Sequence, residues 1–325
     1  MKRRTLVMGL AGWPALAQAQ AKPQALVGYL HSFSATYMAP FEAAVRQGLA
    51  EEGYVEPRNL RIAARSAEGQ YDRLPALAQE LVREGAVDAI VVESTAAATA
   101  ARQATRTIPI VAYIAVDPVA AGLAASLAHP GGNVTGVSFL AAELNAKRIE
   151  LLHQVAPRAT RLAAISAMTS NAANSPGNLR AIQDAARKLA LTVEIITISD
   201  PARLRQELSA AALAGFDGFV LVPDVVLTAH IAEVVALLEA SGRPAIYSNR
   251  IYVEAGGLIS YSQDVADSYR RLASQLDRVL KGAAPSDIPF ERPAKFELVV
   301  NLRTARRLGI NLPPEVLALA DAVIE

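Results

Sequence analysis

Short apolar runs alternate with longer amphipathic segments along most of the chain. Apolar runs of about four to eight residues are typical of buried strands, and a spacing of i, i+3, i+4, i+7 is typical of a helix with one buried face. Before residue 140 the pattern predicts strands at 26–30, 60–64, 89–92, 108–114 and 133–139. Helical patterns lie between most of them, including one at 71–84. This alternation is typical of parallel sheets covered by helices on both faces.

The same pattern restarts after Pro157. It predicts strands at 161–166, 192–198, 218–222 and 245–247, with helices at 176–190, 202–214 and 228–241. A strand at 258–262, a long helix at 265–281, an extended segment at 287–300 and short helices at 303–308 and 314–323 complete the chain. Because 325 residues exceed one ordinary domain of about 150 residues, two lobes of similar architecture are expected.

The first residues have a different pattern, which is that of a signal peptide. Lys2, Arg3 and Arg4 precede an apolar stretch at 6–16, and alanines then alternate up to Ala21. A basic region, an apolar region and Ala-x-Ala triplets in this order predict export and cleavage. We expect the mature chain to begin after residue 17, 19 or 21.

Charge and cysteine content narrow the possible partners. Without the three basic residues of the leader, 29 basic residues face 31 acidic ones, so we expect no nucleic-acid partner. The absence of cysteine excludes disulfides and a lipid-attachment thiol. After the leader no apolar run reaches the roughly 20 residues that a bilayer span requires, so we expect no direct membrane insertion. The composition therefore predicts a freely diffusing, monomeric periplasmic protein.

Several stretches resemble one family. They are YDRLP at 71–75, DPV at 117–119, PGGNVTG at 130–136, VEAGGL at 253–258 and FELVVN at 296–301. In these stretches, and in its ending at 320–325, the chain resembles the ABC-transporter substrate-binding proteins related to tryptophan and tyrosine importers. The resemblance spans nearly all of the mature chain, but it does not identify the ligand.

The resemblance implies a type I periplasmic-binding fold, an α/β fold of two Rossmann-like lobes joined by a three-strand hinge. It implies a first lobe at 22–138 plus 259–290 and a second at 139–258 plus 291–325, after the leader at 1–21. The ligand is then expected between the lobes, where the carboxyl ends of parallel strands and helix N-termini offer unpaired N–H groups.

Polar residues at the expected strand ends of the first lobe are candidate ligand contacts. They are Ser32, Phe33, Glu93, Ser94, Thr95 and Asp117. Ser94 and Thr95 suit a ligand carboxylate, although capping of the following helix explains them equally well. Glu93 at the end of an apolar strand suits an ammonium group, and it departs from the small neutral residues that relatives often have there. Asp117 suits the same group or merely begins a turn at Pro118.

The second lobe offers Asn171, Asp224 and Asn249 at the corresponding ends, and Asn249 is the favoured contact. Tyr261, on the strand of the third crossover, is expected either to stack on a flat ligand or to pack in the hinge. Some of these candidates suit a ligand carboxylate and others suit a ligand ammonium group. Together they favour a zwitterion or amide-bearing solute, an amino acid or a close relative.

Motifs for catalysis are missing from the sequence. The four histidines, His31, His129, His153 and His230, form no metal-ligand spacing, and no Gly-x-Ser-x-Gly, Walker or Gly-x-Gly-x-x-Gly motif is present. We therefore expect no cofactor, no metal and no enzyme activity. The predicted function is capture of a small solute for the membrane permease of an ABC importer. The alternatives are a periplasmic receptor of the same fold that signals to a membrane partner and, less favoured, an exported α/β enzyme.

Overall fold

The computed structural model describes residues 24–84, 87–167 and 176–325. The strands are β1 Ala25–His31, β2 Leu60–Ser66, β3 Ala89–Val92, β4 Ile110–Ile114, β5 Val134–Ser138, β6 Arg161–Ala167, β7 Thr192–Ile198, β8 Gly218–Leu221, β9 Ala245–Tyr247, β10 Ile259–Gln263, β11 Phe296–Asn301 and β12 Ala322–Ile324. The helices are α1 Ala35–Glu51, α2 Leu74–Arg83, α3 Thr95–Ala104, α4 Ala141–Val155, α5 Pro176–Lys188, α6 Leu204–Glu207, α7 Ala210–Leu213, α8 Val225–Ala229, α9 Ile231–Ala240, α10 Arg250–Glu254, α11 Val265–Leu280, α12 Leu302–Leu308 and α13 Pro314–Ala318.

The first lobe contains a parallel sheet in the order β2-β1-β3-β4-β5. Strands β3 and β4 are buried along their whole length because helices cover both faces of the sheet. On one face α1 packs against α11. Gly48 permits this close approach, since a Cβ at that position would lie 2.6 Å from the Cβ of Ala273.

The second lobe contains a sheet in the order β12-β11-β10-β9-β8-β6-β7. Its strand pairs are parallel except for β10 and β11, which are antiparallel. Buried apolar residues fill both faces, with α4 and α5 over one face and α8 and α9 over the other. Within the described residues, no helix is both long and apolar enough to cross a bilayer.

The chain passes between the lobes three times. The first passage follows β5 and turns at Leu140, whose φ of 45° lies in the left-handed region. The second passage joins β10 to α11 at Asp264, which accepts a hydrogen bond from the Asp267 N–H as the N-cap. The third leads from Glu291, which bridges to Val137 of β5, into β11.

The resemblance implied that residues 259–290 belong to the first lobe, and for the strand at their start this is wrong. Strand β10 pairs with β9 and β11 in the second sheet. The free edge of β5 is covered instead by Glu291, whose N–H donates to Gly136 O and whose carbonyl accepts from Ser138 N–H. Because β10 belongs to the second sheet, the passage between the lobes lies at Asp264 and not at residue 258.

The end of the chain also differs from its prediction. The helix expected at 314–323 ends at Ala318, and residues Ala322–Ile324 form β12 on the outer edge of the second sheet. Asp321 holds this turn, since one of its carboxylate oxygens accepts a hydrogen bond of 2.8 Å from Leu298 N–H. The expected signal peptide lies outside the described residues.

Candidate functional site

A cavity of about 140 Å³ lies between the two lobes, beyond the carboxyl ends of the strands. Its polar wall contains Glu93, Ser94 and Thr95 from the first lobe, Asp224, Thr228, Ser248 and Asn249 from the second, and Gln263 beside the second passage. Its aromatic wall contains Phe33, Tyr37, Phe41, Tyr71, Tyr113, Phe139 and Tyr269. A site that is mostly apolar with a few polar groups is typical of small-molecule binding.

The aromatic side chains pack on one another around the cavity. The ring centroids of Phe33 and Tyr37 are 4.9 Å apart, and those of Tyr37 and Phe41 are 5.3 Å apart. Phe41 stacks on Tyr269 at 5.4 Å, and Tyr269 lies 4.9 Å from Tyr113. Rings that contact each other in this way have few rotamers left, so they form a rigid apolar surface.

Glu93 is the buried carboxylate of this wall, with 5% of its surface exposed. It directly follows β3, and its Oε1 accepts a hydrogen bond of 2.5 Å from the Ser32 N–H. Its Oε2 has no hydrogen-bond partner. Burial raises the pKa of Glu93 to about 7, because a charged carboxylate loses its hydration there.

Behind Glu93 lies a second buried group, His31 of β1. Its Nδ1 is 3.0 Å from the Phe33 carbonyl oxygen, and its Nε2 is 3.4 Å from Glu42 Oε1. Burial lowers the pKa of His31, but the hydrogen bond with Glu42 and the charge of Glu93 outweigh this effect, so the pKa lies above its ordinary value. Both ring nitrogens face acceptors, as in a protonated imidazole.

Ser94 has the capping role that the sequence left open. Its Oγ accepts a hydrogen bond from Ala97 N–H at the start of α3 and lies 2.7 Å from Ser32 Oγ. Ser32 is fully buried and does not line the cavity, so it supports Glu93 and Ser94 from behind. Thr95, the first residue of α3, lines the cavity, and its buried Oγ1 has no hydrogen-bond partner.

The second lobe presents helix caps to the cavity. Asp224 accepts hydrogen bonds from Val226 N–H and Leu227 N–H at the start of α8, and its other oxygen accepts from Ala167 N–H. Asn249 caps α10 by accepting from Ile251 N–H. Both side chains lie where the sequence placed them, at the cavity wall.

Like Ser32, two more candidates from the described residues, Asp117 and Tyr261, do not line this cavity. Asp117 accepts hydrogen bonds from Val119 N–H and Ala120 N–H and is exposed, which matches the turn-forming alternative. Tyr261 stacks on Phe296 at 6.0 Å and lines a separate cavity beside the hinge. Asn171 lies outside the described residues.

Sequence reasoning did not identify most of the aromatic wall. Phe33, Tyr37 and Phe41 are four residues apart, a spacing that places Tyr37 and Phe41 on one face of α1. Of these three residues, only Phe33 was predicted from the sequence to contact the ligand. Tyr113 and Tyr269 carry no such signal, since they come from distant elements that meet only in the folded chain.

Residues 37–324 match the model of a family described as ABC transporter substrate binding protein. A tyrosine-binding protein of Clostridioides difficile is 28% identical over 266 residues, which are 81% of this chain and 75% of that protein.

Solved structures show the same likeness. An ABC domain in complex with L-Trp from Streptococcus pneumoniae has a TM-score of 0.85 and 28% identity, covering 93% of this chain and 100% of that one. A periplasmic binding protein/LacI transcriptional regulator from Alkaliphilus metalliredigens, complexed with D-xylulofuranose, has a TM-score of 0.58 at 13% identity, covering 84% of this chain and 96% of that one. The predicted two-lobed periplasmic-binding fold is confirmed.

Proposed function

The chain belongs to the ABC transporter substrate-binding protein family, and from this premise we propose that it captures a small amine-bearing solute for import. The solute is an amino acid or a close relative with an apolar side chain. It binds between the lobes without being chemically changed. The observation that carries this proposal is a cavity walled by aromatic rings and by Glu93, a buried carboxylate whose Oε2 has no hydrogen-bond partner.

Both relatives of 28% identity support an amine-bearing aromatic solute. One is named for tyrosine, and the other was solved with L-Trp. In this chain the paired rings supply apolar contact for such a side chain, and a buried carboxylate supplies a charged hydrogen-bond acceptor for its amine. These features define the chemical class of the solute.

The location and partner belong to the same proposal. Residues 1–21 have the order of a cleaved leader, and the absence of cysteine leaves no site for a lipid anchor. The mature chain then diffuses in the periplasm as a monomer and delivers its solute to a membrane permease. N-terminal sequencing of periplasmic protein should begin between Gln18 and Lys22, and an intact Met1 would contradict export.

The decisive experiment is mass spectrometry of the small molecules released when the purified protein is denatured. We expect an amine of amino-acid size. Calorimetry with that compound should give saturable binding, and incubation with the protein should leave it unchanged. A released compound without nitrogen, or turnover of the bound compound, would refute the proposal.

Domain closure provides a second test. Because three passages connect lobes that share one cavity, a ligand that contacts both lobes favours the closed form. The radius of gyration from small-angle scattering should therefore fall when the identified solute is added to protein freed of ligand. An unchanged radius at saturation would contradict closure.

A further inference from the structure

The charged side chains that line the described wall of the interlobe cavity are all acidic. Among the described residues that line it, Glu93 and Asp224 are carboxylates and none is Lys, Arg or His. Residues 168–175, which the structure does not describe, contain no basic residue either. A ligand carboxylate in this cavity would therefore meet two carboxylates and no cationic side chain.

The two carboxylates are not equivalent. Asp224 receives three backbone N–H groups, so its charge is used to cap α8 and to hold the end of β6. Glu93 receives one backbone N–H on Oε1, while Oε2 has none. A buried carboxylate oxygen without a donor is costly, and a donor from a ligand removes that cost.

The two buried cationic groups nearest the cavity, Arg148 and His31, already have partners. Arg148 is fully buried but does not line the cavity, and it donates hydrogen bonds to Asn145 Oδ1, Ser248 O and Tyr261 O. His31, behind Glu93, lies beside Glu42. Neither group is placed in the wall to neutralise an incoming anion.

The groups expected to hold a ligand carboxylate are largely occupied as well. Ser94 Oγ binds Ser32 and caps α3. Asn249 Oδ1 caps α10. Thr95 Oγ1 has no hydrogen-bond partner, and a neutral hydroxyl is a weak counterpart for a buried carboxylate.

We propose that the cleft selects an organic cation, an arylalkylamine without a carboxylate, with its ammonium against Glu93 and its ring among the aromatic side chains. This proposal rests on the proposed function and narrows its solute class. The ammonium would satisfy Glu93 Oε2 by a charge-assisted hydrogen bond and face the rings of Tyr37 and Tyr269. This ligand carries a net positive charge, whereas the zwitterion favoured by the sequence analysis carries none.

Three compounds with one ring system test this selection: tyramine has only the amine, L-tyrosine has amine and carboxylate, and phloretate has only the carboxylate. Calorimetry at about pH 8, where Glu93 is ionised, should give tyramine an affinity at least about tenfold above that of L-tyrosine. Phloretate should not bind measurably. Tighter binding of L-tyrosine would overturn the selection of a cation while leaving the proposed function intact.

Failure of all three compounds to bind would also overturn this inference. The proposed function would then be judged separately, by the compound that mass spectrometry finds in the purified protein. An amino acid in that experiment supports the proposed function and contradicts the selection of a cation.

Two variants test whether Glu93 causes the preference for a cation. Glu93→Gln keeps an acceptor for Ser32 N–H but removes the charge, so tyramine affinity should fall about tenfold or more. The preference for tyramine over L-tyrosine should shrink, because repulsion of the carboxylate is relieved. Asp117→Asn is the matched control outside the cavity and should leave both affinities unchanged. An unaltered preference in folded Glu93→Gln would overturn the proposal.

Discussion

Gln263 Nε2 donates a hydrogen bond of 2.5 Å to Tyr113 Oη, and this contact joins the two sheets. Gln263 ends β10 in the second sheet, and Tyr113 lies on β4 in the first. Both residues line the cavity, and both are more than nine-tenths buried. The contact therefore holds the two lobes together at the wall of the ligand cavity.

Tyr113→Phe should lower the free energy of unfolding by about 1 kcal/mol, because it leaves a buried amide N–H without its acceptor. Tyr261→Phe is the control, since this tyrosine is only partly buried and lies outside the contact between the sheets, and its cost should stay below about 0.5 kcal/mol. Denaturant unfolding measures both values. Equal stabilities for the two variants would show that the contact between the sheets contributes nothing.

Glu93 should make stability depend on pH. Its pKa in the folded state, about 7, lies above the ordinary value of 4.5, so the folded chain retains a proton that the unfolded chain has lost. The free energy of unfolding should therefore fall as pH rises from about 4.5 to 7. The groups that act on this charge are Ser32 N–H, His31 and Glu42, with Tyr29, Tyr37, Tyr71 and Tyr269 facing it.

Glu93→Gln removes this titration. At about pH 8 the ligand-free variant should be more stable than the wild type by about 1–3 kcal/mol, and the difference should vanish near pH 4.5. Glu143→Gln removes an exposed carboxylate and should follow the wild-type curve. Thermal melting across this pH range tests the prediction, and parallel curves for Glu93→Gln and wild type would contradict it.

Gly136→Ala should disrupt the first sheet. Gly136 of β5 pairs with Ala112 of β4 at a φ of 149°, and a Cβ there would lie 1.8 Å from the Ala112 carbonyl oxygen. The strands must separate to accept it, at a cost of about 3 kcal/mol or more. Gly132→Ala, where no atom lies within 4 Å of the added Cβ, should be nearly neutral. Similar melting temperatures for both variants would refute this account.

Arg148→Met should weaken the second lobe next to the hinge. The guanidinium is fully buried and donates to β10, to Ser248 and to Asn145, and burial lowers its pKa to about 9. Its loss leaves three acceptors without a donor, so the free energy of unfolding should fall by at least about 2 kcal/mol. Arg306→Met, on an exposed site of α12, is the control. Wild-type stability of Arg148→Met would contradict this structural role.

The sequence by itself determined the two-lobed alternation of strands and helices, because strand and helix periodicities are local properties of the chain. It also placed Glu93, Ser94 and Asn249 at carboxyl ends of strands, where parallel sheets gather their ligand-binding loops. The resemblance in short stretches identified the family. These features need only residue types and their spacing within one element.

The tertiary structure decided what depends on contacts between distant residues. Strand β10 pairs with β9 and β11 of the second sheet. Glu291 covers the edge of β5 through a bridge to Val137, which lies 154 residues earlier in the chain. The Asp117 carboxylate accepts hydrogen bonds from the N–H groups of Val119 and Ala120 and so stabilises a turn. The rings of Tyr113 and Tyr269 meet across separate elements. These contacts depend on how separate helices and strands pack together. The spacing of residues within one element does not predict which side chains will be in contact across elements.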